Sequence, residues 1–160
     1  MCKFYADAML GKLSRFLRFL GYDTLYRTEE TINDMLLISE KENRIIISQS
    51  KEVKQLCNKQ DLRIVFLLDT EITQQLRQVR EKVNVDFSFP PSKMRCSICN
   101  GDLLEKSKSD ILDKIPEGTA SNYDKFWECT KCSKIFWIGS HWEDIKKTIN
   151  DINESDLNAN

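Results

Sequence analysis

Two Cys-x-x-Cys pairs, Cys96 with Cys99 and Cys129 with Cys132, constrain the fold of this 160-residue chain more than any other feature of its sequence. Each pair forms a tight turn that directs two sulfurs toward one point, and four thiolates favour Zn²⁺ in a tetrahedral site. The segments "RCSICNG" and "FWECTKCSKIFW" therefore predict a zinc ribbon, in which the residues between the two pairs form a surface excursion. A closed four-cysteine site leaves no open position for a substrate, so the predicted Zn²⁺ is structural.

Other interpretations of the cysteines stay open at the level of the sequence. The four thiols could be unrelated buried groups, or the pairs could have a redox role. Cys2 and Cys57 have no partner at a comparable spacing and are most simply core thiols. Disulfides are not expected, because an intracellular compartment is reducing and paired Cys-x-x-Cys spacing indicates metal binding.

The first ninety residues alternate apolar runs typical of strands with segments of helical periodicity. "CKFYAD", "RIIIS" and "LRIVFLL" are strand-like, whereas "AMLGKLSRFLRFLG", "TINDMLLISEKE" and "EITQQLRQVREKV" place apolar residues on one helical face. Strands that alternate with helices predict βαβ units, and hence an α/β fold with a parallel sheet covered on both faces.

Two prolines in "DFSFPPSKM" mark the end of this pattern. The predicted organisation is an α/β domain over residues 1–88, a zinc ribbon over residues 94–142, and a short helix with a polar tail over residues 143–160. Ile145, Ile149 and Ile152 have helical spacing in that last segment.

Charge and hydropathy restrict the function classes. The chain carries 24 basic and 25 acidic side chains, so any basic surface must be local. No apolar run approaches the roughly 20 residues that span a membrane. The N-terminal "MCKFYADAML" lacks the apolar stretch of a secretory signal. We therefore expect a cytoplasmic protein with no membrane partner.

Acidic residues follow or flank several predicted strands. Asp7 ends the first strand, Asp69 follows "RIVFLL", and Asp34 lies at the start of the second helix. Ligands of open α/β sheets gather at the carboxyl ends of strands, where converging carboxylates hold Mg²⁺ or Mn²⁺. Each acid also has a purely structural interpretation: Asp7 as a helix cap, Asp69 as the start of a turn, and Asp34 in a capping box with Thr31.

A basic strip, Lys12, Arg15 and Arg18, is predicted opposite the apolar face of the first helix. Such a strip beside an acidic crevice suits the phosphate backbone of RNA. The alternative is a solvated helix face with no ligand.

The segment "FYADAMLGKLSRFLRFLGYDTLY" resembles the opening of the PIN-like ribonuclease family named for the C-terminal domain of the Mut-seven exonuclease. "RCSICNG", the second cysteine pair and "FWIGSHW" are similar to the zinc ribbon and closing motif of that family, so the resemblance covers residues 3–142. It implies a PIN-like three-layer α/β/α fold and an endoribonuclease-type hydrolase that cleaves RNA with Mg²⁺ or Mn²⁺. The catalytic acids that it implies are Asp7, Asp34 and, by a looser match, Asp69.

One position departs from the family pattern. "RIIISQS" places Ser50 where family members carry an aspartate, and Glu52 is the nearest acid that could compensate. A hydroxyl is a weaker Mg²⁺ ligand than a carboxylate and brings no charge. Two hypotheses follow: a ribonuclease with a reduced acid set, or a catalytically inactive module that binds RNA or a ribonucleoprotein. A zinc-ribbon adaptor that contacts only protein is a third.

Overall fold

The parallel sheet expected from the sequence is present in the computed structural model, which describes residues 2–157 apart from the side chains of residues 140, 141 and 155–157. Its four strands, all parallel, are in the spatial order β2-β1-β3-β4. Their bounds are β1 (Lys3–Ala6), β2 (Asp23–Tyr26), β3 (Ile45–Ser48) and β4 (Ile64–Phe66).

Helices cover both faces of the sheet, which confirms the predicted α/β class. Their bounds are α1 (Gly11–Phe19), α2 (Ile32–Glu42), α3 (Lys51–Lys59), α4 (Ile72–Val83), α5 (Glu117–Asn122) and α6 (Ser140–Leu157). Helices α1, α4 and α6 share one apolar core with the sheet, and α2 and α3 share another. Alternate residues of β3 enter the two cores, as strands buried on both faces require.

The C-terminal helix belongs to the first of these cores. Ile145, Ile149 and Ile152 are buried there with side chains of α1 and α4, so the chain returns to the sheet after the ribbon. The helix begins at Ser140, before the predicted boundary at residue 143, and the end of the predicted polar tail lies outside the described residues. No helix in the described part of the chain is long and apolar enough to cross a membrane.

The cysteine-containing region forms a second, antiparallel sheet in the order β5-β6-β7. Its strands are β5 (Leu103–Lys106), β6 (Phe126–Cys129) and β7 (Ile135–Trp137). The segment between the cysteine pairs is more than the predicted surface excursion: Ile111, Ile115 and Ala120 form a small core with Phe126 and Ile135. This apolar core covers one face of the ribbon sheet.

The order of the parallel strands creates a crevice between β1 and β3. The chain leaves β1 toward β2 with α1 on one face, and leaves β3 toward β4 with α3 on the other. Such a switch point leaves room for a ligand at the carboxyl ends of the two strands. Ala6 pairs with Ile47, which brings Asp7 beside Ser48 at this point.

Candidate functional site

The four cysteines of the two pairs converge on one point, as their spacing predicts. Their sulfurs all lie within 4.8 Å of one another, with Cys96 Sγ 3.6 Å from Cys132 Sγ and Cys99 Sγ 3.4 Å from Cys129 Sγ. Zn–S bonds of about 2.3 Å place the sulfurs of a tetrahedral site about 3.8 Å apart. The cluster therefore fits a structural metal such as Zn²⁺.

The two cysteine turns have the same backbone structure. The amide of the first cysteine donates to the carbonyl five residues later, from Cys96 to Gly101 (2.8 Å) and from Cys129 to Lys134 (3.0 Å). The residue after each pair has a left-handed backbone, with φ of 65° at Asn100 and 55° at Ser133. This repeated turn aims both thiols of each pair at the shared centre.

Gly101 leaves space for the sulfur of the opposite pair. A Cβ atom at position 101 would lie 2.8 Å from Cys129 Sγ, inside van der Waals contact. Only glycine therefore allows the first turn to approach the second this closely.

The thiols of the cluster differ in pKa. Burial raises the pKa of Cys96 to about 12. Burial also opposes ionisation of Cys129, but hydrogen bonds from the amides of Cys132 and Lys131 outweigh it and lower the pKa to about 7. A metal ion that requires four thiolates must therefore displace protons as it binds.

Arg18 fixes the first cysteine turn to the parallel sheet. Its side chain is buried, and its Nε donates to the Thr24 carbonyl at 2.8 Å. One terminal nitrogen donates to the carbonyls of Ser97 and Ile98 at 3.0 and 3.1 Å. The prediction that Arg18 lies in a solvent-facing strip on α1 is therefore wrong, because its guanidinium is buried on backbone carbonyls and is not available to an RNA phosphate.

Asn100 completes this attachment from the other side. Its side-chain oxygen accepts from the Thr24 amide at 3.1 Å, and its Nδ2 donates to Asp23 Oδ1 at 2.7 Å. Asp23 also pairs with Arg44 at 2.8 Å. Burial opposes ionisation of Asp23, but its bonds from Arg44 and Asn100 prevail and lower its pKa. The first turn thus closes the free edge of β2.

Asp7 occupies the crevice at the switch point. Ser48 Oγ donates to Asp7 Oδ2 at 2.5 Å, and the Ala8 amide donates to Oδ1 at 2.6 Å. Ser48 Oγ in turn accepts from the Ser50 amide at 3.0 Å. Ser48 was not singled out from the sequence, although a hydroxyl at the carboxyl end of a buried strand adjacent to Asp7 is the signal that could have found it.

Asp34 and Asp69, the other acidic candidates, also follow strands of the parallel sheet, but each is hydrogen-bonded to a different partner from Asp7. Asp34 is exposed and forms the capping box of α2 with Thr31, whose hydroxyl and amide lower its pKa. The Asp69 carboxylate accepts from Gln78 Nε2. Ser50 caps α3 by accepting from the Val53 amide at 3.3 Å.

The three acids therefore do not form a common ligand set. Among the described side chains, which leave out residues 140, 141 and 155–157, the cysteine cluster is the one group of three or more Cys, His, Asp or Glu whose ligand atoms are close enough to share an ion. Glu52, the potential substitute for the missing aspartate, is exposed on α3.

We expect purified protein to contain about one Zn²⁺ per chain, because the sulfurs complete a thiolate tetrahedron. Cys129→Ser removes a ligand, and Gly101→Ala forces a methyl group against Cys129 Sγ, so both should lower the zinc content measured by elemental analysis. Cys57→Ser alters a buried thiol of α3 and should keep its zinc. Zinc-free wild type, or full zinc in Cys129→Ser, contradicts this assignment.

Arg18→Met tests the attachment of the first cysteine turn to the parallel sheet, and Arg15→Met on the same helix is its control. Arg18→Met should lower the free energy of unfolding by about 2–4 kcal/mol, because the buried carbonyl of Thr24 and the part-buried carbonyls of Ser97 and Ile98 lose their donor. Arg15 is exposed, so the same substitution there should change stability by less than about 0.5 kcal/mol. Urea unfolding followed by tryptophan fluorescence measures the free energy of unfolding of both variants. Equal losses of stability would contradict the role of Arg18 in attaching the first cysteine turn.

A comparison with protein families agrees with the geometry and with the motifs of the sequence. The family model described as Mut7-C RNAse domain matches residues 2–149, which include the parallel sheet, the crevice and the cysteine cluster. Neither the curated proteins nor the solved structures contain a match to this chain.

Proposed function

Because the chain belongs to the Mut7-C RNase domain family, we propose that it cleaves RNA phosphodiester bonds in the crevice between β1 and β3, with Asp7 as the central carboxylate. The observation that carries this proposal is the position of Asp7 at the switch point of the sheet, where open α/β sheets bind ligands. A side chain needed only as a cap would not require a buried hydroxyl to hold it in place.

The hydrogen bonds of Asp7 suit a carboxylate that must present free lone pairs in a fixed direction. Ser48 and the Ala8 amide each engage one oxygen, and each carboxylate oxygen has a further lone pair. Ser48 is itself oriented by the Ser50 amide. Asp7 can therefore orient a water molecule or a cation against a phosphate in the crevice.

The crevice fits a divalent cation only in combination with RNA. Mg²⁺ in nucleic-acid enzymes is held by one or two carboxylates, with substrate phosphates and water as its remaining ligands. Asp7 provides one such carboxylate, and it forms no three-carboxylate group with Asp34 and Asp69 whose ligand atoms are close enough to share an ion. Bound Mg²⁺ or Mn²⁺ would supply activated water and neutralise charge on the phosphate.

The first two turns of α1 extend this site toward the RNA backbone. Lys12 and Arg15 are exposed, and neither side chain has a hydrogen bond or ion pair among the described residues. α1 begins four residues after Asp7, and the Leu10 amide donates to the Asp7 carbonyl at 2.8 Å. The two cations are therefore placed to hold phosphates next to the reacting one.

A second candidate function is RNA binding without cleavage, and the small number of carboxylates in the crevice favours it. Ser50 stands at a position where the resemblance implies an aspartate, and the described acids form no group of three or more that could share an ion. In this case the fold would act as a module for RNA or a ribonucleoprotein.

Cleavage of a labelled single-stranded RNA with Mn²⁺, followed in single-turnover assays, separates the two functions. Asp7→Asn should lower the rate by at least about 100-fold, because the crevice loses its central charge. Ser50→Asp should raise the rate, because a further carboxylate adds a hard, charged ligand. Asp is as good an N-cap as Ser, so this substitution preserves the start of α3.

Asn58→Asp is the matched control, since it adds the same charge to an exposed position of α3. It should leave the rate unchanged. A wild-type rate that survives Asp7→Asn contradicts the crevice assignment. RNA binding with no cleavage by wild type or Ser50→Asp supports the non-cleaving module.

A further inference from the structure

A groove with a volume of about 750 Å³ lies between α1 and the ribbon, on the side away from the small ribbon core. One wall is α1, with Lys12, Arg15 and Phe19. The other wall is the ribbon sheet, with Trp127 and Phe136. We call this feature the α1–ribbon groove.

The charge of the α1–ribbon groove is positive, although the chain as a whole has a formal net charge of −1. Its lining includes Lys12, Arg15 and Arg95 and contains no aspartate or glutamate. Arg95 is partly engaged, with its guanidinium on the Asn100 carbonyl at 2.7 Å and near Asp102 at 3.7 Å. Lys12 and Arg15 have no such partners in the described structure, so the groove is complementary to a polyanion.

The ribbon wall presents aromatic side chains that the ribbon core does not use. Trp127 and Phe136 are directly opposite each other on β6 and β7, so they lie on the same face of the sheet. Phe126 and Ile135 point to the other face and form the ribbon core. Trp127 and Phe136 are half-buried and line the groove, so the open part of this Trp127–Phe136 platform can contact a ligand.

Three further aromatic side chains pack together at the α6 end of the groove. Phe19 and Trp142 meet edge to face with ring centroids 4.8 Å apart, and Phe89 packs against both. These contacts join α1, the proline segment and α6. The groove therefore has a packed apolar end and cations along α1.

We propose that the α1–ribbon groove holds unpaired bases of single-stranded RNA, stacked on Trp127 and Phe136 with their phosphates on Lys12 and Arg15. Aromatic platforms beside cations are the usual means of binding single strands without reading a sequence. Bases within a duplex are stacked and paired, so they cannot enter. The groove therefore selects single-stranded RNA.

This inference rests on the proposed function, because Lys12 borders both the groove and the start of α1 beside Asp7. A strand held in the groove continues along α1 toward the crevice. The groove would thus position the substrate while Asp7 acts on it.

Binding of a fluorescent ten-nucleotide oligouridylate tests the inference, with every variant carrying Asp7→Asn so that cleavage does not interfere. Trp127→Ala should weaken binding by about fivefold or more, since stacking on one aromatic side chain contributes about 1–3 kcal/mol per base. Trp127→Phe keeps an aromatic ring and should retain most of the affinity. Leu104→Ala changes an exposed side chain of β5 outside the groove and should have no effect.

Two double variants that each remove two positive charges separate binding in the groove from general electrostatic attraction to RNA. Lys12→Ala with Arg15→Ala should weaken binding and reduce its dependence on salt, whereas Lys41→Ala with Lys59→Ala, on exposed parts of α2 and α3, should not. A duplex of the same length should bind more weakly than the single strand.

The outcomes distinguish this inference from the proposed cleavage. Full affinity in Trp127→Ala overturns the groove assignment, even where Asp7→Asn abolishes cleavage by otherwise wild-type protein. Loss of affinity in Trp127→Ala supports the groove, even where wild type does not cleave. No binding of the oligouridylate by the Asp7→Asn parent at low salt also overturns the groove assignment and favours a protein ligand.

Discussion

The attachment of the first cysteine turn to the edge of β2 is the interaction on which the arrangement of the two sheets depends. β2 ends the parallel sheet, so the amide and carbonyl of Thr24 would have no partner strand. Asn100 binds the amide and Arg18 binds the carbonyl, and the same two side chains hold the turn that carries Cys96 and Cys99. One set of buried polar contacts thus satisfies an exposed strand edge and orients half of a metal site.

This attachment also explains why the groove exists. Gly21 has a φ of 89°, and a Cβ atom there would lie 2.4 Å from the Lys93 carbonyl, so the segment before Cys96 passes close to the end of α1. The Arg95 amide then donates to the Arg18 carbonyl at 2.8 Å. With the first turn held at this end of α1, the ribbon sheet faces the helix across a gap rather than packing onto it.

Much of the fold and the metal cluster could be predicted because their signals are local. Continuous apolar runs and a helical period of 3.6 residues identify the βαβ units, and the paired spacing identifies the four cysteines. The capping box of Thr31 and Asp34 was also visible as a short pattern, and the structure contains it. The same pattern gives Asp34 a structural role that a resemblance to a nuclease family does not reveal.

Interactions between distant segments could not be predicted in this way. Arg15 and Arg18 are identical residues on one helix, yet Arg18 bonds to carbonyls 79 and 80 residues away and is buried. The pairing of Ser48 with Asp7 depends on strand order, which periodicity does not specify. Similarly, the residues between the cysteine pairs contain too few apolar positions for the sequence to predict the small core that they form.

Photo-crosslinking of a uridine-containing single-stranded RNA, with the crosslinked peptides identified by mass spectrometry, tests most directly whether the parallel sheet and the ribbon act as one RNA site. A strand that runs from the groove to the crevice should crosslink to the β6–β7 platform at Trp127 or Phe136 and to the segment 7–12 in the same complex. Crosslinks confined to α2 and α3, on the opposite face of the sheet, would contradict a shared site.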